Sequence, residues 1–383
     1  MNATITHRKP YKGKDVTLPD WLDPAPAFEL VAGADASRVR AALTSDSPDV
    51  NDFAALISPA AEPFLEEMAR RARTLTEHQF GRTISLYVPL YLADYCSSGC
   101  IYCGFSSDRT RPRRKLSAED LEREIKALRD MGFDEILLLT GDRTTEADFR
   151  YLRDCVASAA ASFSTVAVET FTLKADEYRG LVEAGCTSVA LYQETYDPKA
   201  YYPLHRWGPK VHFERRLMGP ELALSSGIRM MGLGVLLGLV DPVFDLLAVF
   251  RHAAYLRRKF WQSGVSVSFP RMRPQFGDYE PPHPVDDKAF AQYIFAFRIC
   301  MPEIPLVLST RESARFRDGI AGTGVSKMSV ASRTTVGGYA DEGGREYGQF
   351  DISDERDVDA FCAALRAGGL EPVFKNGDAA YRS

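Results

Sequence analysis

Cys96, Cys100 and Cys103 fall in one short stretch, Cys96-Ser-Ser-Gly-Cys100-Ile-Tyr-Cys103, with the spacing C-x3-C-x2-C. Three thiolates on one tight loop can hold three corners of a [4Fe–4S] cube and leave one iron open for a reactant. Zinc is the other reading of such a loop. It needs four closed ligands, so with no fourth cysteine nearby the missing one would come from afar, for instance His205. The chain holds seven cysteines, an odd number that does not suit a disulfide framework, and clustered cysteines more often bind metal or carry redox chemistry. Cys155, Cys186, Cys300 and Cys362 are scattered and read as small buried thiols.

The elements that must position the loop begin near residue 84, where short apolar runs start to alternate with amphipathic stretches. The runs cover 84–92, 135–140, 165–169, 188–191, 230–237, 266–269, 306–309 and 327–330. Continuous apolarity at strand length is expected where both faces of a parallel sheet are buried. Between the runs lie helical patterns, such as Ser117-Ala-Glu-Asp120, a capping box that puts Leu121, Ile125 and Leu128 on one face. Eight strands alternating with helices predict an α/β chain of (β/α)8 TIM-barrel type, with an open doubly wound sheet as the alternative. The cysteine loop follows the first strand, at the barrel end where ligand sites form. Residues 1–80 read as a polar start and then helices, including one over 51–72. A barrel is expected over 81–330, and a C-terminal extension over 331–383 that closes it, glycine-rich, then helical over 357–367, then a short strand-like piece.

Bulk properties narrow the class. In 383 residues, 45% are apolar and 26% charged, as in an ordinary soluble globular chain. The net charge of −5 argues against nucleic acid or an anionic membrane as a partner. No run approaches the ~18 apolar residues of a membrane span, and the first residues lack the apolar core of a secretory signal, so a cytoplasmic protein is expected. The basic run Arg109 to Lys115 has little aromatic interleaving and reads as a solvated loop.

With Tyr102 before its last cysteine, the loop resembles the signature of the radical S-adenosylmethionine superfamily. More narrowly, the chain is similar to its aromatic amino acid lyases, above all the tyrosine lyases of thiamine thiazole formation, the 2-iminoacetate synthases. The matching stretches include Val88-Pro-Leu-Tyr-Leu92, Cys103-Gly-Phe-Ser106, Tyr192-Gln-Glu-Thr-Tyr196, Gly208-Pro-Lys210, Ser268-Phe-Pro-Arg-Met-Arg-Pro274, Leu308-Ser-Thr-Arg-Glu312 and 332–339. The resemblance implies a [4Fe–4S] cluster that cleaves S-adenosylmethionine to a 5′-deoxyadenosyl radical, and hydrogen abstraction from the amino group of tyrosine. Cleavage of the Cα–Cβ bond then gives p-cresol and 2-iminoacetate. A tryptophan lyase forming 3-methylindole-2-carboxylic acid shares most of these motifs. The tyrosine lyase that matures [FeFe]-hydrogenase carries extra C-terminal cysteines, where this tail has only Cys362. A flavodoxin or ferredoxin-type electron donor and a thiazole synthase are the implied partners. A cluster- or zinc-stabilised binding module without turnover is the reading outside the enzyme class.

The resemblance also implies roles for single residues. Gly141 and Asp142 end the second strand where relatives carry Gly-Glu, which contacts the amino group of S-adenosylmethionine. Glu169 ends the third strand and can accept hydrogen bonds from ribose hydroxyls, while Gln193 and Glu194 follow the fourth. Both ligands bring a carboxylate, which a guanidinium binds bidentately. Arg216 matches the arginine for S-adenosylmethionine, with Arg215 beside it as the fallback. Arg333 is the candidate for the amino acid substrate, assisted by Tyr91, and Arg273 and Arg311 at strand ends also line the expected site.

Overall fold

The computed structural model describes residues 16, 18–22, 25–275, 277, 279–340 and 348–374. The polar start over residues 1–15 and the end of the chain over 375–383 lie outside the described residues, so the expectations there carry no structural account.

Eight parallel strands form the barrel: β1 (Thr83–Ala93), β2 (Glu135–Thr140), β3 (Thr165–Glu169), β4 (Ser188–Ala190), β5 (Met230–Gly234), β6 (Gly264–Ser268), β7 (Val307–Leu308) and β8 (Lys327–Ser329). Their order is β6-β5-β4-β3-β2-β1-β8-β7. The seam between β6 and β7 is closed by one bridge, Val267 to Leu306, in which Val267 N donates to Pro305 O at 3.0 Å. This is the (β/α)8 architecture, nearly closed, and not an open doubly wound sheet. Every strand matches an apolar run of the sequence. The run over 230–237 makes regular strand only to Gly234, because Val235 and Leu237 turn to isolated bridges with Glu194 and Arg271 at the barrel rim.

The N-terminal helices differ from expectation in one place. The helix expected over 51–72 is two helices, Val50–Ile57 and Leu65–Phe80, separated by the 3-10 turn Pro59–Phe64. Pro59 and Pro63 remove backbone donors and force the break. The first of these helices packs on the outer barrel helices Pro242–Lys259 and Asp287–Cys300. The Phe53 ring stacks on Phe250 at 4.3 Å between centroids and meets Phe297 edge-on at 4.6 Å. After the helix Val358–Ala367 the chain adds β9 (Glu371–Val373), parallel to the start of β1. The extension thereby anchors at the end of the barrel opposite the strand termini that carry the site.

Phe53 is fully buried, and truncation leaves a void its rigid neighbours cannot fill. Phe53→Ala is expected to lower unfolding free energy by about 3–5 kcal/mol in denaturant titrations.

Candidate active site

The cysteine loop leaves β1 and is gripped from both sides. On one side residues 99–103 pair with 204–207: Gly99 N donates to Trp207 O at 3.0 Å, Ile101 N to Leu204 O at 3.0 Å, and Arg206 N back to Gly99 O at 3.2 Å. On the other, Arg109, Arg111 and Arg113 of the basic run turn inward, where the sequence led to a solvated loop, while Arg114 and Lys115 stay exposed. Arg111 is buried against Asp94 at 3.0 Å, Arg109 donates to Ile101 O, and Arg113 donates to the carbonyls of Asp94, Phe105 and Ser106. Arg109 and Arg113 thereby satisfy loop carbonyls, while Arg111 neutralises the Asp94 carboxylate.

His205 is built into this grip and is not a metal ligand. Its Nε2 lies 2.7 Å from the Tyr102 hydroxyl and its Nδ1 lies 2.8 Å from Tyr201 O. Both ring nitrogens are therefore engaged, and burial, with Lys210 nearby, holds the imidazole well below its usual pKa and neutral. Among the described residues no three His, Cys, Asp or Glu side chains converge on a single ion. The thiols still feel one another. Burial pushes Cys96 up to about 12 and Cys100 higher, and Cys103 raises both further. Backbone donors already point at the sulfurs, Asp142 N to Cys96 Sγ at 3.3 Å and Phe105 N to Cys103 Sγ at 3.4 Å. Three thiols on one loop, two of them with a backbone N–H aimed at the sulfur, fit a cluster that takes them as thiolates.

Cys103 opens onto a cleft of about 960 Å³ at the C-terminal ends of the strands. Of the candidates, Tyr91, Glu169, Glu194, Arg273 and Arg311 line it. Burial pushes the Glu169 carboxyl up to about 7, with Glu194 adding to the rise. Arg273 already donates to Glu312 at 2.7 Å. Arg311 rests 3.3 Å from the centre of the Phe350 ring, and no carboxylate among the described residues pairs with it. Burial lowers its pKa while Tyr91, Glu169 and Glu194 act against the shift, and the guanidinium keeps its charge with no ion-pair partner among the described residues.

Other candidates sit differently. Asp142 and Gly141 turn toward the cysteine loop: Asp142 accepts from the Ser98 hydroxyl, and a side chain on Gly141 would meet Tyr95 O and Cys96 Cβ. Gln193 is buried and is not among the residues lining the cleft, and its Nε2 has no hydrogen-bond partner among the described residues. Arg216 lies behind the cleft, donating to Tyr192 O at 2.6 Å, with Glu194 at 3.7 Å. Arg333 is the clearest departure. Its neighbours Ser332 and Thr334 line the cleft, but Arg333 is not among the lining residues, and its buried Nε has no hydrogen-bond partner among the described residues.

Sequence reasoning missed Lys210, which is buried in the cleft and donates to Glu194 at 2.7 Å. Burial works against its charge, yet Glu194 outweighs this and its pKa is raised. A lysine in the otherwise turn-forming Gly208-Pro-Lys210 was the available signal. Gln349 and Phe350 had none, since they reach the cleft from the C-terminal extension.

Glu194 has φ of 72°, a strained value for a non-glycine residue. Asp245 on the helix Pro242–Lys259 locks the turn after it, accepting from Thr195 Oγ1 at 3.0 Å and from Tyr196 N at 2.7 Å.

The comparisons agree with this geometry. Residues 90–245 match the model of the Radical SAM superfamily, and 268–371 match that of the Biotin and Thiamin Synthesis associated domain. The 2-iminoacetate synthase of Escherichia coli K12 is 41% identical over 91% of this chain and 92% of its own length. The chain belongs to the 2-iminoacetate synthase family, within the radical SAM superfamily. Proteins of this superfamily use a [4Fe–4S] cluster and S-adenosylmethionine, and the loop fits the first. The family likeness extends to solved structures of HydG, a maturase of the [FeFe]-hydrogenase. One superposes with a TM-score of 0.89 at 28% identity, covering 94% of this chain and 82% of that one. The HydG of Carboxydothermus hydrogenoformans gives 0.85 at 30% identity, covering 94% and 85%. Among the described residues no helix is long and apolar enough to cross a membrane.

The Asp245 lock has a pH signature. Burial pushes its carboxyl up to about 8, so the folded chain keeps a proton that the unfolded chain releases near the ordinary carboxylate pKa. Stability therefore falls as pH rises through that window. Asp245→Asn keeps an oxygen acceptor for both bonds and removes the titration. Relative to wild type it is expected to gain on the order of 4 kcal/mol between about pH 5 and about pH 8, measured by denaturant unfolding at each pH.

Proposed function

We propose that this chain is a 2-iminoacetate synthase, cleaving the Cα–Cβ bond of L-tyrosine to 2-iminoacetate and p-cresol for thiamine thiazole formation, with methionine and 5′-deoxyadenosine as co-products. One observation carries the reading: Cys103 of the cluster loop and the unpaired guanidinium of Arg311 face the same cleft. An amino acid held by its carboxylate at one wall would lie beside the nucleoside bound at the other.

Cys96, Cys100 and Cys103 would hold the cluster. When bound, it supplies the electron that splits S-adenosylmethionine into methionine and a 5′-deoxyadenosyl radical. The chain's own groups bind, orient and move protons. Arg311 takes the tyrosine carboxylate in place of Arg333, and the Tyr91 hydroxyl stands close by. Arg273, already paired with Glu312, sets the shape of that wall. Glu169, poised near neutrality, can accept from ribose hydroxyls or hold a substrate proton. Glu194, held by Lys210 and Arg216, offers a carboxylate to the ribose or amino group. Gly141 and Asp142 order the loop and present backbone to the S-adenosylmethionine amino group. Gln193 supports the strand end that carries Glu194.

A barrel over 81–330 with helical residues 1–80 outside it and 331–383 closing it is the domain division we adopt; Ser332, Thr334, Gln349 and Phe350 are the closing residues on the cleft. The enzyme needs a reductant, and we infer a flavodoxin or ferredoxin-type donor. A thiazole synthase would consume the reactive imine. A reducing cytoplasm suits seven free thiols.

Product analysis tests the reading. Anaerobically reconstituted enzyme, reduced with S-adenosylmethionine, is expected to give p-cresol from tyrosine; 3-methylindole-2-carboxylic acid from tryptophan would overturn it. Cys100→Ala should abolish iron binding and S-adenosylmethionine cleavage, while Cys186→Ala leaves both intact. Equal behaviour of the two would sink the loop assignment.

The arginine assignment is separable. Arg311→Ala is expected to raise the tyrosine KM on the order of 100-fold through loss of a charged bidentate contact. Arg333→Ala should change it little. The reverse ranking in steady-state kinetics would return the carboxylate to Arg333.

A further inference from the structure

The C-terminal extension lays Gln349 across the cluster loop. Gly104 N donates to Gln349 O at 3.2 Å, and Gln349 N donates to Thr334 O at 3.0 Å. A Cβ on Gly104 would come within 2.7 Å of Gln349 O, so the two backbones meet closely because residue 104 is glycine. The side chain then bridges two functional groups. Its Nε2 is directed at Cys103 Sγ at 3.7 Å, and its Oε1 accepts from the Tyr91 hydroxyl at 2.7 Å. The next residue, Phe350, carries the Arg311 guanidinium on its ring. Among the described residues Gln349 is the one side chain that donates to a cysteine of the loop; the other donors are backbone amides.

We propose that Gln349 is a positioning residue that couples the amino acid pocket to the cluster, donating to Cys103 Sγ while Tyr91 holds its amide in register. This rests on the cluster reading given above. A donor to a ligating thiolate stabilises the more negative, reduced state, so the amide raises the cluster's reduction potential. A carboxylate arriving at Arg311 competes with Phe350 for the guanidinium, and movement of Phe350 moves its neighbour Gln349. The potential therefore responds to whether the pocket is filled: a Gln349 amide drawn off Cys103 makes it more negative.

The test is an EPR-monitored redox titration of reconstituted enzyme without S-adenosylmethionine, with and without tyrosine. Wild type, Gln349→Leu and Gln349→Glu are compared at matched iron content of about four per chain. The Leu variant removes the donor; the Glu variant keeps the Tyr91 contact and the backbone bonds but sets a carboxylate against the thiolate. Both are expected to shift the potential to more negative values, Glu further than Leu, and the shift that tyrosine causes in wild type should vanish in Leu and in Arg311→Ala. Unchanged potentials in both Gln349 variants, or a tyrosine shift that persists in Leu, overturn the proposal. Loss of iron from both variants overturns it as well, since the residue would then hold the loop and not tune it. If Leu alone loses iron, the Glu variant decides. Failure of wild type to form a cluster would instead strike the function reading.

Discussion

The hydrogen bonds between the cysteine loop and residues 204–207 are the constraint on which the site depends. Outside a helix or sheet, a loop of this length leaves backbone groups without partners, and burying them unpaired is expensive. Here the chain returns more than one hundred residues later to supply those partners, with the buried contact between Tyr102 and His205 at its centre. Arg109, Arg111 and Arg113 complete the work from the other side. Part of what reads as surface charge in the sequence turns inward, Arg109 and Arg113 to loop carbonyls and Arg111 to Asp94. Cys103 can therefore face the cleft, and the sulfurs of Cys96 and Cys103 already have N–H donors aimed at them.

Charge in the cleft is arranged in tiers. Arg273 shares Glu312 with Arg271, and Lys210 shares Glu194 with Arg216, while Arg311 lies on the Phe350 ring with no ion-pair partner among the described residues. Among the described cations that line the cleft, Arg311 is the one without an ion-pair partner, and a ligand carboxylate can supply it. The strained backbone at Glu194 belongs to the same design. Its left-handed φ turns the carboxylate toward Lys210, and the buried Asp245 holds the turn from outside the barrel.

The C-terminal extension finishes the site. Beyond β8 it supplies one wall of the cleft, crosses the cysteine loop at Gln349, and ends as β9 at the far end of β1. One strand thus carries the cluster loop at its end and the anchor of the closing segment at its start.

Much of this was legible beforehand. The eight apolar runs specify eight buried parallel strands because a strand covered on both faces must be apolar throughout, and the C-x3-C-x2-C spacing specifies the cluster loop because its ligands are local. Glu169, Glu194, Arg273 and Arg311 were found because strand ends in a barrel point at one place. The proline break at Pro59 and Pro63 was readable from residue type and was missed. What only the tertiary structure decided is pairing over long distances. It gave His205 to Tyr102 instead of a metal, took Arg333 out of the cleft, brought Lys210 to Glu194, and set Gln349 against Cys103. Those outcomes depend on which side of a strand a residue faces and which segment returns to meet it, and no local pattern of residue types records either.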